Sequence, residues 1–179
     1  MNLPNRITIF RVIMIPVFLI FMLVPGIPFA NYIACAIFCI ASASDFLDGY
    51  LARKLNLVTN FGKFCDPVAD KLLVCSALIC FVEKKTCAAW IVIIIIAREF
   101  IISGFRTVAA DNGVVIAASY WGKFKTTFQM IACIFLILNL PFKVTDIIGN
   151  IFLYLALIFT VVSLVDYLIK NKNVLKEKK

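Results

Sequence analysis

Six long apolar runs follow one another along the chain, separated only by short polar breaks. They begin near Ile7, Phe29, Phe61, Ala88, Thr126 and Ile147, and the last closes at Ile169. A chain of 179 residues that is 63% hydrophobic and only 16% charged cannot bury so much apolar surface in one small core. Soluble domains carry about a quarter charged residues. Lipid must therefore solvate much of the surface. At roughly 20 residues per crossing, six helices fill the chain and leave no room for a large extramembrane domain. The expectation is an all-α integral membrane protein with six transmembrane helices, forming a single embedded domain over residues 1–179 with a basic tail at 170–179.

The first run, from Ile7 to Val24, has the basic start of a signal peptide in Arg6 and Arg11. It is long, however, and the turn sequence Pro25-Gly26-Ile27-Pro28 follows it in place of a small-residue cleavage site, so it reads as a retained span. Basic residues then set the orientation. With six spans, one side collects Arg6, Arg53, Lys54, Lys63, Arg106, Lys123, Lys125, Lys170, Lys172, Lys176, Lys178 and Lys179, and the other only Lys84, Lys85 and Lys143. Twelve against three places both termini in the cytoplasm and the protein, multi-pass, in the cell membrane. The net charge of +8 reads as topology and attraction to anionic headgroups, with no nucleic acid implied.

Two absences narrow the chemistry. The chain has no histidine, which excludes His-metal sites and Ser-His-Asp catalysis. Its seven cysteines form no C-x-x-C pair and mostly lie inside apolar runs, where they act as small hydrophobes.

Carboxylates at membrane depth are costly and mark functional sites by default. Four cluster where the second and third runs meet: Asp45, Asp48, Asp66 and Asp70. On a helix, Asp45 and Asp48 lie about 60° apart, and Gly49 and Ala52 share their stripe. Gly62, Asp66 and Asp70 repeat at intervals of four, with glycine at the cytoplasmic entrance; Pro67 sits in a first helical turn or marks a kink. Solvated caps at helix ends are the competing reading for any one of these. Four like charges this close cannot all stay ionised unaided. A divalent cation resolves the conflict, and carboxylate oxygens suit Mg²⁺, Mn²⁺ or Ca²⁺. The small residues leave room for something bulky beside them.

The full pattern is Asp-x-x-Asp-Gly-x-x-Ala-Arg followed by Gly-x-x-x-Asp-x-x-x-Asp, filled here by Asp45, Asp48, Gly49, Ala52, Arg53, Gly62, Asp66 and Asp70. It resembles the signature of the CDP-alcohol phosphotransferases, integral membrane enzymes with six transmembrane helices. The resemblance implies transfer of a phosphatidyl group from CDP-diacylglycerol to a small alcohol, with release of CMP. It implies that the four aspartates hold a divalent-metal centre, Mg²⁺ or Mn²⁺, with Asp70 as the base, and it suggests a homodimer. A two-metal clamp would suit the neutralisation of a pyrophosphate before an alcohol attacks it. Asp45, Asp48, Gly49, Ala52, Arg53 and Gly62 would then face the nucleotide, Arg53 either pairing with its phosphates or serving as a topological anchor.

Three further segments, Asn2 to Thr8, Ala97 to Arg106 and Trp121 to Thr126, are similar to the branch of the family whose acceptor is sn-glycerol 3-phosphate and whose product is phosphatidylglycerol phosphate. The last third of the chain carries little family information. Arg98, Arg106 and Lys123 are expected to bind the acceptor phosphate. Glu99 and Arg106, seven apart, are expected to pair, with Arg98–Glu99 the competing pair. Lys125 is expected at the surface, and Lys71 to snorkel. Inositol phosphate or serine remain alternative acceptors. A divalent-cation transporter is the alternative of another class, although transport sites favour the midplane between repeated halves, and no repeat is visible here.

Overall fold

The fold is that of a computed structural model. It describes the backbone of residues 3–54, 60–111, 113, 116 and 119–171, and the side chains of residues 7–44, 68, 69, 71–111, 113, 116, 119–142 and 144–171. Among the described residues there are six helices and no strand: α1 (Leu3–Leu23), α2 (Ala30–Lys54), α3 (Asn60–Glu83), α4 (Ala89–Asp111), α5 (Tyr120–Leu138) and α6 (Lys143–Lys170).

Local chemistry explains where the helices stop. The turn after α1 places Gly26 at φ +86°, a left-handed conformation that costs glycine nothing. α5 ends on Asn139, also left-handed at φ 41°, whose N–H returns to the Phe135 carbonyl at 3.2 Å. Pro141, two residues on, cannot extend that helix.

Three helices start four residues or more ahead of the apolar runs that announced them. α5 starts at Tyr120 rather than Thr126, α1 at Leu3 rather than Ile7, and α6 at Lys143 rather than Ile147. Hydropathy picks out only the apolar part of a helix, whereas the hydrogen-bond ladder runs on through its polar turns. Lys123 and Lys125 consequently stand on a helix rather than in a loop. Pro67 falls inside α3, beyond its first turn.

α5 lies along α6 and α1 packs on α2 and α3, while α2–α5, α3–α4 and α4–α6 contacts close the bundle. Phe128 stacks on Phe159 with ring centroids 5.3 Å apart, and Phe135 lies parallel to Phe152 at 6.5 Å. Phe18, Phe38, Phe81, Ile95, Ile137 and Leu153 fill the core. Fully buried Ala34, Ala41, Ala77 and Ala156 let backbones approach closely, as in membrane bundles.

The outside is apolar as well. Along α6, Ile147, Ile151, Tyr154, Ile158, Val161, Val165 and Ile169 form one exposed stripe, the kind of contiguous apolar surface that marks membrane or protein contact. Tyr120–Leu138 and Val144–Lys170 are long and apolar enough to cross a membrane. Ile7–Leu23 and Ala30–Ser44 are apolar but shorter, and α4 is interrupted by Arg98, Glu99 and Arg106.

Candidate active site

α2 and α3 follow each other across residues 55–59 and pack together. The last turns of α2 carry Asp45, Asp48, Gly49, Ala52 and Arg53, and the first three turns of α3 carry Gly62, Asp66 and Asp70. At about 1.5 Å per residue, all four aspartates lie within roughly 15 Å of the joined helix ends. The side chains of these eight residues lie outside the described residues. Among the described residues no group of three potential metal ligands occurs.

The next residue along α3, Lys71, enters a described site. It lines an open cavity of about 290 Å³ together with Arg98, Glu99, Ser103 and Arg106 of α4, Gly122 and Lys123 of α5, and Tyr167 of α6. The three cations expected to act together, Arg98, Arg106 and Lys123, thus share one space. Four cationic side chains face it against one carboxylate, an environment made for a small anion.

The cavity wall is held by a network that begins at Glu99. Its Oε1 accepts a hydrogen bond from Arg98 Nη1 at 3.0 Å and another from Lys125 Nζ. Arg98, only 8% exposed, also donates from Nε (3.2 Å) and Nη2 (3.0 Å) to Ser163 Oγ on α6, which donates in turn to the Thr160 carbonyl at 3.0 Å. Lys71 Nζ donates to Ser103 Oγ, which passes its own proton to the Glu99 carbonyl at 2.6 Å. The Arg106 guanidinium lies 5.9 Å from the Tyr167 ring centre, and Phe105 meets that ring edge-on. The Tyr167 hydroxyl is buried with no hydrogen-bond partner among the described residues.

Three expectations are corrected. Glu99 pairs with Arg98 and Lys125, not with Arg106, because it turns toward α5 while Arg106, two turns along, packs over Tyr167. Lys125 is not at the surface: it is 4% exposed, since α5 already spans it and aims it at α4. Lys71 does not snorkel away but joins the cavity through Ser103. Ser163 and Tyr167 escaped the sequence reading altogether; the only signal is their spacing with Thr160, at i, i+3 and i+7 on an otherwise apolar helix.

A sequence profile described as CDP-alcohol phosphatidyltransferase matches residues 1–162. A Bacillus subtilis protein named CDP-diacylglycerol–glycerol-3-phosphate 3-phosphatidyltransferase is 49% identical over 188 aligned positions, covering 98% of this chain and 97% of its own. Proteins of the same name from Haemophilus influenzae (46% identical, 93% and 91% covered) and Rickettsia bellii (39%, 93% of each) are similar over nearly the same length.

Proposed function

The chain belongs to the CDP-alcohol phosphatidyltransferase family, and from that premise we propose that it transfers the phosphatidyl group of CDP-diacylglycerol to sn-glycerol 3-phosphate, giving phosphatidylglycerol phosphate and CMP. The near full-length likeness to relatives bearing that enzyme name supports the donor and the acceptor. The observation that carries the reading is the four-cation cavity opening beside Lys71. An acceptor held there by its phosphate would present its hydroxyl toward the residue before Lys71, which is Asp70.

In this reading Asp70 accepts the proton of the acceptor hydroxyl as its oxygen bonds to the phosphatidyl phosphorus, while the bond from that phosphorus to the CMP oxygen breaks. Arg98, Arg106 and Lys123 bind the acceptor phosphate and offset its charge beside the pyrophosphate. Gly49, Ala52, Arg53 and Gly62, with Asp45 and Asp48, border the nucleotide. The donor set fits a divalent metal: four carboxylates on consecutive packed helices, hard oxygen ligands in a chain without histidine. Asp45, Asp48, Asp66 and Asp70 would hold Mg²⁺ or Mn²⁺, as two ions. Bound metal would neutralise the pyrophosphate and the departing CMP.

The same reading makes all six helices membrane crossings of one domain over residues 1–179, with both termini, the tail at 170–179 and the active site cytoplasmic, in the cell membrane as a homodimer. The exposed apolar stripe of α6 and the twelve-to-three division of basic residues support it. The test is CMP release from CDP-diacylglycerol by purified protein in detergent. Release should require sn-glycerol 3-phosphate, stop with EDTA and return with Mg²⁺ or Mn²⁺. Preference for serine or inositol phosphate would move the chain to another branch of the family, and no release with any acceptor would overturn the activity.

A further inference from the structure

α6 contributes nothing to the sequence signature, yet it makes a close contact behind the acceptor cavity. Thr160, Ser163 and Tyr167 form one buried stripe on it. Ser163 is fully buried, and its hydroxyl has a single arrangement that satisfies every neighbour: its proton goes to the Thr160 carbonyl, and its lone pairs accept Nε and Nη2 of Arg98. With Nη1 on Glu99, the guanidinium is held along two edges. Among the described residues three of its five N–H groups are engaged, which leaves one on each terminal nitrogen. Gly122 of α5 stands close to the same group: an added Cβ there would lie 3.2 Å from Nη2.

We infer that Ser163 is a positioning residue that fixes the Arg98 guanidinium toward the cavity and thereby sets the enzyme's preference for a phosphate-bearing alcohol. The inference rests on the acceptor reading of the cavity given above. Glu99 is the competing partner. Without the Ser163 acceptor, Nε and Nη2 lose their bonds and the planar fork is free to turn onto the carboxylate, bidentate and away from the ligand. Pre-organisation matters because a guanidinium already held in place loses little further freedom when phosphate binds.

The experiment compares Ser163→Ala with the parent protein in detergent, measuring KM for sn-glycerol 3-phosphate and for CDP-diacylglycerol, and kcat/KM for free glycerol. The expected result is a KM for sn-glycerol 3-phosphate raised about tenfold, the worth of one charge-assisted contact, with the KM for CDP-diacylglycerol and turnover of free glycerol unchanged. Ser163→Thr, which keeps the hydroxyl, should restore most of the difference. KM does not depend on how much of a preparation is folded, so a poor yield does not blur the answer. If Ser163→Ala does not fold at all, Gly122→Ala decides, since alanine favours the helix while its Cβ crowds Nη2; it should raise the same KM several-fold. An unchanged KM for sn-glycerol 3-phosphate in Ser163→Ala, or in Gly122→Ala where that variant decides, overturns the inference. A parent protein with no preference for sn-glycerol 3-phosphate over glycerol overturns the reading beneath it instead.

Discussion

At the α4–α5–α6 end of the molecule, one carboxylate, Glu99, answers two buried cations, Arg98 and Lys125. Where α2 meets α3, four aspartates fall between positions 45 and 70 on stripes shared with glycine and alanine. The first region holds Arg98 and Lys125 on a carboxylate of its own, and that framework is in place without a ligand. The second concentrates one sign of charge beside residues with almost no side chain, so its neutralisation is assigned to something bound. If the first is the acceptor pocket and the second the donor site, as proposed, the two should fail in different ways, and the sharpest tests exploit that.

The largest effect belongs to the aspartates. Asp66→Asn keeps size and removes charge; the expectation is loss of CMP release by orders of magnitude with the thermal unfolding midpoint in detergent nearly unchanged. Full activity in that variant would contradict the metal assignment. Glu99→Gln should instead act on folding, because it leaves Lys125 buried without its carboxylate. Breaking such a pair costs about 3–5 kcal/mol, to be read from thermal unfolding. The double variant Glu99→Gln, Lys125→Met should recover much of that loss, since an apolar replacement of a buried pair is often close to neutral.

These two regions were legible in the sequence to different degrees, for a physical reason. Residues four apart share a helix face, so the aspartate and glycine registers of α2 and α3 can be read from local spacing alone. Six helices followed equally from the apolar runs. The charge network was readable only in part: Arg98, Arg106 and Lys123 were anticipated together, but Lys125 and Lys71 were misread and Ser163 was missed. Arg98 and Ser163 are 65 residues apart, and no local period encodes a contact between α4 and α6. Lys125 was misread because hydropathy began α5 at Thr126, whereas its hydrogen-bond ladder starts at Tyr120.

The smallest effect sharpens the comparison at its edge. Tyr167 is 2% exposed and its hydroxyl has no partner among the described residues. An unmet buried hydroxyl is costly, so Tyr167→Phe should raise the unfolding midpoint slightly, by the equivalent of about 1 kcal/mol, while the ring keeps its contacts with Phe105 and Arg106. A lower midpoint would show that the hydroxyl is engaged.

The separation of donor and acceptor sites is tested most directly by Arg106→Ala, with KM measured for both substrates in one preparation. Arg106 lines the cationic cavity and takes no part in the Glu99 pairing, so its loss should leave the fold intact. The account predicts a rise in KM for sn-glycerol 3-phosphate of about ten- to a hundredfold, from about 1.5–3 kcal/mol of lost charge-assisted contact, with a KM for CDP-diacylglycerol that stays at the parent value. Equal rises in both, or a rise for CDP-diacylglycerol alone, would contradict it.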